Sequence, residues 1–220
     1  MPVPHTSIPE MDRIASMGPV LRRQYSRGDT IFLAGEPPRA VYLIRSGLVK
    51  MVAPSTSGRE MITEVYFPGE LFSALFALHG EPYPCSAVCL TDCELEVLPR
   101  EAFQRAVESD SELLMAVMRT YQEKIRFQRR MMVELAVGRS EQRAAMALLM
   151  LAGYLARMVG NRAVMPNLLT RQEFSELIGT TVETAIRILS RFRKDGILVE
   201  SAQTMSLDLL ALQAISGDEL

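Results

Sequence analysis

The hydrophobic period of the chain changes near Ser109, and that change constrains the fold more than any other feature. Upstream, Gly28, Gly35, Gly47, Gly58 and Gly69 recur about every seven to twelve residues. Between them lie short runs: VYLI (Val41 to Ile44), LVKMV (Leu48 to Val52), EMITEVYF (Glu60 to Phe67), then SAVCL and CELEVL. These are β-branched and aromatic runs of strand length, bounded by Gly, Pro, Ser and Asp. Ser26-Arg27-Gly28-Asp29 and Ser55-Thr56-Ser57-Gly58 have the composition of turns in which glycine supplies positive φ. Several short strands at that spacing predict an antiparallel barrel or jelly roll.

Downstream the period is helical. Ser109-x-x-Glu112 has capping-box form. Leu114, Met118, Tyr121, Ile125, Gln128, Met132 and Leu135 then follow in steps of four and three, a seam of about three heptads in a segment about 28 residues long. At 1.5 Å per residue the helix spans roughly 42 Å, and its stripe needs a partner. That partner is either the core of its own domain or a second copy in a parallel dimer with Gln128 setting the register. The seam alone leaves both open. Arg119, Lys124, Arg126, Arg129 and Arg130 read as a solvated face, and Met115 and Met118 as helix core. Gly138 breaks the helix, and a second begins near Ser140 with Ala144, Ala145, Ala147, Leu148 and Leu151 on one face. Residues 161–166 read as a loop, and the tail after Gly196 as a small β-hairpin. The domain expectation is a β-roll over 1–108, a helix over 109–137 and a third unit over 138–220, an α+β chain.

Composition bounds function. Twenty-four Lys and Arg against 26 Asp and Glu give a net charge of −2, which by itself argues against a nucleic-acid partner. No apolar run approaches the ~18 residues that span a bilayer, and the start, MPVPHTSIPEMDR, lacks the form of a secretory signal. Three cysteines are too few for a disulfide scaffold, so a reducing cytoplasm and no membrane partner are expected.

Residues 168–197 read LLTRQEFSELIGTTVETAIRILSRFRKDGI. Thr170-x-x-Glu173 opens a helix with Phe174, Leu177 and Ile178 on one face, and Gly179 stops it. Thr180-x-x-Glu183 opens a second, with Ala185, Ile188, Leu189 and Phe192 inward, and Gly196 closes it. Two short helices joined through glycine predict a helix-turn-helix whose second helix enters the DNA major groove. Glu183 and Arg187, four apart, share a face. Arg187 can give two hydrogen bonds to guanine, and Glu183 can accept from cytosine N4. Arg191, Arg193 and Lys194 can meet phosphate, as can the hydroxyls of Thr180 and Thr181 at the helix N-terminus. The competing reading is an ordinary i,i+4 pair of Glu183 with Arg187, worth ~0.3 kcal/mol.

These residues carry a resemblance. PGELF (Pro68 to Phe72), LTDCELEVL (Leu90 to Leu98) and the 168–197 segment resemble the Crp/Fnr superfamily of bacterial transcription regulators over nearly the whole chain, and Val182-Glu183-Thr184 with the following Arg-Phe-Arg-Lys resembles its Fnr side. The resemblance implies a β-roll sensor like a cyclic-nucleotide-binding domain, a long dimerisation helix and a C-terminal winged helix. It also implies a homodimer that binds a DNA palindrome and, if an activator, RNA polymerase. The family's base-reading set, Glu-x-x-Ser-Arg, stands here as Glu183-Thr184-Ala185-Ile186-Arg187. Ile186 replaces the serine and can only pack on a thymine methyl. A two-fold half-site close to the Fnr-type TTGA core is expected, its outer base pairs left open.

The same resemblance frames the sensor, with an effector pocket over Leu71, Phe72, Ser73, Ala74, Leu75, Tyr83, Pro84 and Cys85. Cyclic-nucleotide members carry Gly-Glu-Leu and Arg-Ser/Thr-Ala where this chain has Ser73-Ala74-Leu75 and Tyr83-Pro84-Cys85. Ala74 cannot accept from a ribose hydroxyl, Tyr83 carries no positive charge, and Pro84 has no N–H. A buried phosphate would lack its counter-charge, so cAMP is not expected. No cysteine precedes Cys85, so the Fnr-type iron–sulfur cluster is not expected either. On one continuous strand Cys85, Cys89 and Cys93 would span about 27 Å, too far for one metal. They read as small buried apolar residues. FSALFALHGEPYPCSA resembles the haem-binding Dnr branch, in which Leu71, Phe72, Leu75 and Phe76 would line a haem pocket. His79 and His5 are then the ligand candidates, against a reading of His79 as a surface turn residue.

Three function classes follow. The first is a DNA-binding regulator with an unidentified small effector other than cAMP. The second is a cyclic-nucleotide- or other small-molecule-binding module of the same fold whose helix-turn-helix is only structural. The third, an enzyme, lacks any Ser/His/Asp, Cys/His or metal-ligand spacing.

Overall fold

The computed structural model describes residues 20–54, 60–136 and 138–217. The expected turn at Ser55 to Gly58 and His5 lie outside these residues. Two compact units meet between Phe127 and Gln128.

The first unit is a β-roll of two four-stranded antiparallel sheets. One has the order β1 (Leu21–Tyr25), β8 (Cys93–Pro99), β3 (Ala40–Ser46), β6 (Leu71–Phe72). The other has the order β2 (Thr30–Phe32), β7 (Ser86–Cys89), β4 (Val49–Pro54), β5 (Glu60–Tyr66). Strand β3 is buried on both faces, and the side-chain alternation divides its residues between two cores. Tyr42 and Ile44 join Phe32, Val49, Met51, Tyr66, Phe72, Cys89, Cys93 and Leu95 in one cluster. Val41 and Leu43 join Leu71 and Leu98 in the other, beneath α1 (Ala74–His79), α2 (Arg100–Ser109) and the start of α3 (Ser111–Ala136). Gly47 turns the chain at φ +87°, where a Cβ would lie 2.6 Å from the Cys93 sulfur, so only glycine fits.

Helices α1 and α2 were not expected. The first has only six residues, too short to display a period, and the second follows β8 directly at Pro99. Ser109 therefore ends α2 instead of capping α3. Asp110 caps α3, its carboxylate accepting from the N–H groups of Glu112 and Leu113 at 3.0 and 3.3 Å.

The long helix turns part of its stripe toward its own domain. Leu114 and Tyr121 pack against the β-roll core, so these two expected seam positions face their own domain. Met118, Ile125, Met132 and Leu135 stay exposed, Ile125 at 42% and Met132 at 68%. Gln128 is half-buried. Met115 and Met118, read above as helix core, are exposed as well.

The second unit contains α4 (Ser140–Leu155), α5 (Arg171–Leu177), α6 (Val182–Lys194) and α7 (Leu209–Ser216). Its sheet has the order β11 (Leu198–Glu200), β12 (Thr204–Leu207), β10 (Arg162–Pro166), β9 (Arg157–Val159). The expected loop at 161–166 is strand β10, paired with both β9 and β12. Met165 and Ala163 are its buried side, a two-residue alternation hidden by the flanking Asn and Pro. The C-terminal hairpin forms as expected through Leu207. Asp208 then accepts from the Ala211 N–H and starts α7, so the last leucines are helical. Helix α6 buries Ala185, Ile188, Leu189 and Phe192, the four residues its sequence period selects.

Candidate nucleic-acid interface and sensor pocket

The second helix of the helix-turn-helix is α6. Its cap is Thr181, one residue later than expected; the Thr181 hydroxyl accepts from the Thr184 N–H at 3.3 Å. Thr180 precedes it, half-buried, with its N–H donated to the Ser175 carbonyl. The buried stripe on one side forces Glu183, Ile186, Arg187, Arg191 and Lys194 to the other. Ile186 is an exposed isoleucine on this outward face. Its own N-terminal backbone N–H, and then the Thr181 hydroxyl, hold the Glu183 carboxyl below the ordinary carboxylate range. Arg187 is exposed and makes no ion pair among the described residues, so the i,i+4 pair with Glu183 does not form. Arg187 is therefore open to a ligand, whereas the Glu183 carboxylate already accepts from its own backbone N–H and from the Thr181 hydroxyl.

Not all the expected phosphate contacts are open. Arg191 donates to Glu141 of α4 at 2.7 Å and lies 3.6 Å from Asp195. Arg193 donates to the Ser190 hydroxyl at 2.9 Å and sits 3.8 Å from Glu200. Lys194 is exposed beside them. A phosphate contact from Arg191, as expected above, would have to compete with Glu141. Replacing Glu141 with glutamine removes its charge and weakens that competition. An exposed pair is worth ~0–1 kcal/mol, so Glu141→Gln is expected to raise DNA affinity up to about fivefold and to do so for every sequence. Fluorescence anisotropy on specific and random duplexes measures this; an unchanged affinity means Arg191 stays with Asp195 or does not reach phosphate.

The wing is tied to the reader by residues that the sequence did not reveal. Arg171, at the start of α5, donates twice to the Glu200 carboxylate of β11 at 2.6 and 2.7 Å. Asn167 donates to the same carboxylate. Arg162 on β10 donates to the carbonyls of Gly196 and Ile197 just after α6, and to both the hydroxyl and the carbonyl of Ser206. These are long-range pairs, with no local spacing that could have flagged them.

In the β-roll the expected effector positions do not line one cavity. Leu71 and Phe72 are consecutive on β6 and point to opposite cores, Leu71 toward the helices and Phe72 between the sheets. Ser73 is the one described non-glycine residue with positive φ, +71°. It is buried, donates its hydroxyl to the Ala40 carbonyl at 2.9 Å and shares a 2.8 Å hydrogen bond with the Tyr83 hydroxyl. Tyr83 in turn stacks on Phe32, ring centroids 3.7 Å apart, and meets Phe76 edge-on. Its backbone is held by the Gly35 N–H and the Glu36 carbonyl. Burial raises the Tyr83 phenol above its ordinary range. Ala74 is buried, Leu75 and Cys85 half-buried, and Pro84 exposed. The glutamate of PGELF, Glu70, closes its own turn by accepting from the Phe67 N–H and takes a 2.9 Å hydrogen bond from Lys124 of α3. Lys124 also lies over the Tyr66 ring and is thus anchored to the β-roll, not on a solvated face.

Of the two haem-ligand candidates, His79 is described and His5 is not. His79 is exposed in the last turn of α1, with Nδ1 3.1 Å from the Leu75 carbonyl of its own helix, and Leu71 faces away from Phe72. The cysteines do not lie on one strand. Cys89 ends β7 and Cys93 begins β8, so the turn between them brings the two together in one buried cluster. The Cys93 thiol donates to the carbonyls of Leu48 and Thr91. No described group of three His, Cys, Asp or Glu is arranged to hold a metal ion.

A β-roll joined through a long helix to a helix-turn-helix with a wing defines a sensor-linked DNA-binding protein. Residues 22–110 match the family described as cyclic nucleotide-binding domain, and residues 142–215 match the Crp-like helix-turn-helix domain. The chain is 30% identical over 210 residues to the transcriptional activator protein Anr of Pseudomonas protegens, covering 94% of this chain and 83% of that protein. It is 27% identical over 172 residues to a CRP-like cAMP-activated global transcriptional regulator of Mycobacterium tuberculosis, covering 78% and 77%. Among solved structures it is similar to FixK2 from Bradyrhizobium japonicum, with a TM-score of 0.81, 21% identity, and coverage of 92% of this chain and 100% of that one. The chain belongs to the Crp/Fnr family of bacterial transcription regulators; it has a cyclic-nucleotide-binding-like domain and a DNA-binding helix-turn-helix, and its relatives are regulators, not enzymes.

Proposed function

We propose that this regulator acts in the cytoplasm as a homodimer and reads a TTGA-like palindrome through Glu183, Ile186 and Arg187 of α6. Thr180, Thr181, Arg191, Arg193 and Lys194 set it on the phosphates. The observation that carries the reading is the outward face of α6, where Arg187 stands exposed and unpaired above a wholly buried opposite stripe. The second copy packs on the exposed Met118, Ile125, Met132 and Leu135. Function divides as sensor 1–108, dimer helix 109–137 and reader 138–220, with RNA polymerase as a partner if the protein activates. Selection of bound duplexes from a random pool tests the proposal. A two-fold site with a central G·C pair in each half is expected, and an enriched site without that pair overturns it.

The effector is a small molecule other than cAMP. Tyr83 occupies the cassette position that needs a cation, and it is stacked on Phe32 and bonded to Ser73. A cyclic phosphate placed there would displace this stack, and the cassette position itself supplies a tyrosine in place of an arginine. Calorimetry with cAMP is expected to give no saturable heat at micromolar concentrations; saturable binding in that range overturns the assignment.

A further inference from the structure

Arg143 is a buried charged side chain. It stands in the first turns of α4 and is only 8% exposed. Its guanidinium donates to three backbone carbonyls: Nε to Ile178 at 2.8 Å, one terminal nitrogen to Glu134 at 3.1 Å, and the other to Gly179 at 3.4 Å. Glu134 lies in the last turn of α3, whose end carries unpaired carbonyls. Ile178 is the C-cap of α5, and Gly179 is the left-handed glycine at φ +61° that turns the chain toward α6. One planar fork therefore closes the C-termini of two helices, where the dipoles of both favour a cation. Burial lowers its basicity, and the neighbouring Glu134 carboxylate offsets part of this.

The join between α3 and α4 is correspondingly tight. The Gly138 N–H donates to the same Glu134 carbonyl at 3.1 Å. A Cβ on Gly138 would lie 2.8 Å from that oxygen and 2.9 Å from the Glu134 Cα. Gly138 thus permits a close backbone approach, and Arg143 bonds across it.

We infer that Arg143 is a positioning residue that holds the helix-turn-helix in register with the C-terminal end of the long helix. Lysine retains the charge but not the fork, so it cannot hold three carbonyls from two elements at once. A rotation of the α3 end would then no longer carry the turn with it.

The test uses the full-length protein and two readouts. In Arg143→Lys, amide hydrogen exchange should rise about tenfold at both Gly138 and Thr180, whose N–H groups bond to Glu134 and Ser175. Exchange in the middle of α6 should stay unchanged. Faster exchange at only one of the two sites, or at neither, overturns the inference. The second readout rests on the palindrome reading: one base pair is inserted between the half-sites. Wild type should lose about thirtyfold in affinity, and Arg143→Lys less than about fivefold, because its readers can re-aim. An equal penalty in both proteins overturns the inference. If wild type binds no palindrome, that reading fails, and the exchange result alone decides the role of Arg143. Arg143→Gln, which also lacks the charge, should show the same paired loosening. A glutamine variant that restores wild-type protection would count against the fork.

Discussion

Ile125→Asp is expected to convert the protein from a dimer to a monomer while leaving each β-roll folded. Ile125 is 42% exposed in the single chain, so the monomer tolerates a carboxylate there. In the proposed seam the same position faces its own copy. Two carboxylates would be brought together and desolvated, at a cost of several kcal/mol with no counter-charge to offset it. The functional loss should be larger than the structural one. Two readers on one dimer bind a palindrome with the second contact effectively intramolecular, a gain of about 10²–10⁴ in avidity. The monomer loses that gain and binds half-sites only. Sedimentation velocity should show half the mass, and anisotropy on the palindrome an affinity down about a thousandfold. A variant that stays dimeric places the seam elsewhere; a monomer that keeps full palindrome affinity removes dimerisation from the mechanism.

The choice of Ile125 reflects what a heptad pattern can and cannot reveal. The spacing of Leu114, Met118, Tyr121, Ile125 and Met132 marks an apolar helix, but not which apolar residue meets which partner. The helix has a stripe wide enough for two interfaces. Leu114 and Tyr121 go to the β-roll core because Val107, Leu113 and Val117 beside them do. That leaves Met118 and Ile125, each one four-residue step (about 40°) round the helix from Leu114 and Tyr121, and Met132 and Leu135 farther along it, for a second copy. The β-roll strands were legible because turn glycines and β-branched runs are local signals. The helix-turn-helix was legible because its caps, its buried stripe and its closing Gly196 agree at every level. Strand β10 and helix α2 were missed for opposite reasons: one is a strand defined mainly by its partners, the other starts where a strand ends. The buried polar contacts were not legible at all. Arg143 with Ile178, Arg171 with Glu200, and Ser73 with Tyr83 are pairs separated by 35, 29 and 10 residues. No window of sequence contains the reason they meet.

Arg187→Ala should destroy specificity and spare general affinity, and this outcome accounts for the chain's charge. A bidentate contact to guanine contributes about 1–3 kcal/mol of discrimination. Two protomers lose it together, so affinity for the selected palindrome should fall by about thirtyfold or more. Affinity for random duplexes should hardly move, because Arg191, Arg193 and Lys194 remain, and the salt slope should drop by no more than about one per protomer. Arg187 is exposed on a helix whose opposite face is packed, so the melting temperature should be unaffected. Competition binding on selected and scrambled duplexes at several salt concentrations separates these terms. A uniform loss across all sequences would make Arg187 a phosphate contact and move base reading elsewhere on α6. The net charge of −2 then has a physical meaning. Affinity arises from a local patch, with four cations against one carboxylate between Glu183 and Lys194. Part of that patch is held back by Glu141 and Asp195. With no global positive field to draw the protein to DNA at large, discrimination depends on the few groups that touch base edges, and Arg187 is the one whose removal should be felt most.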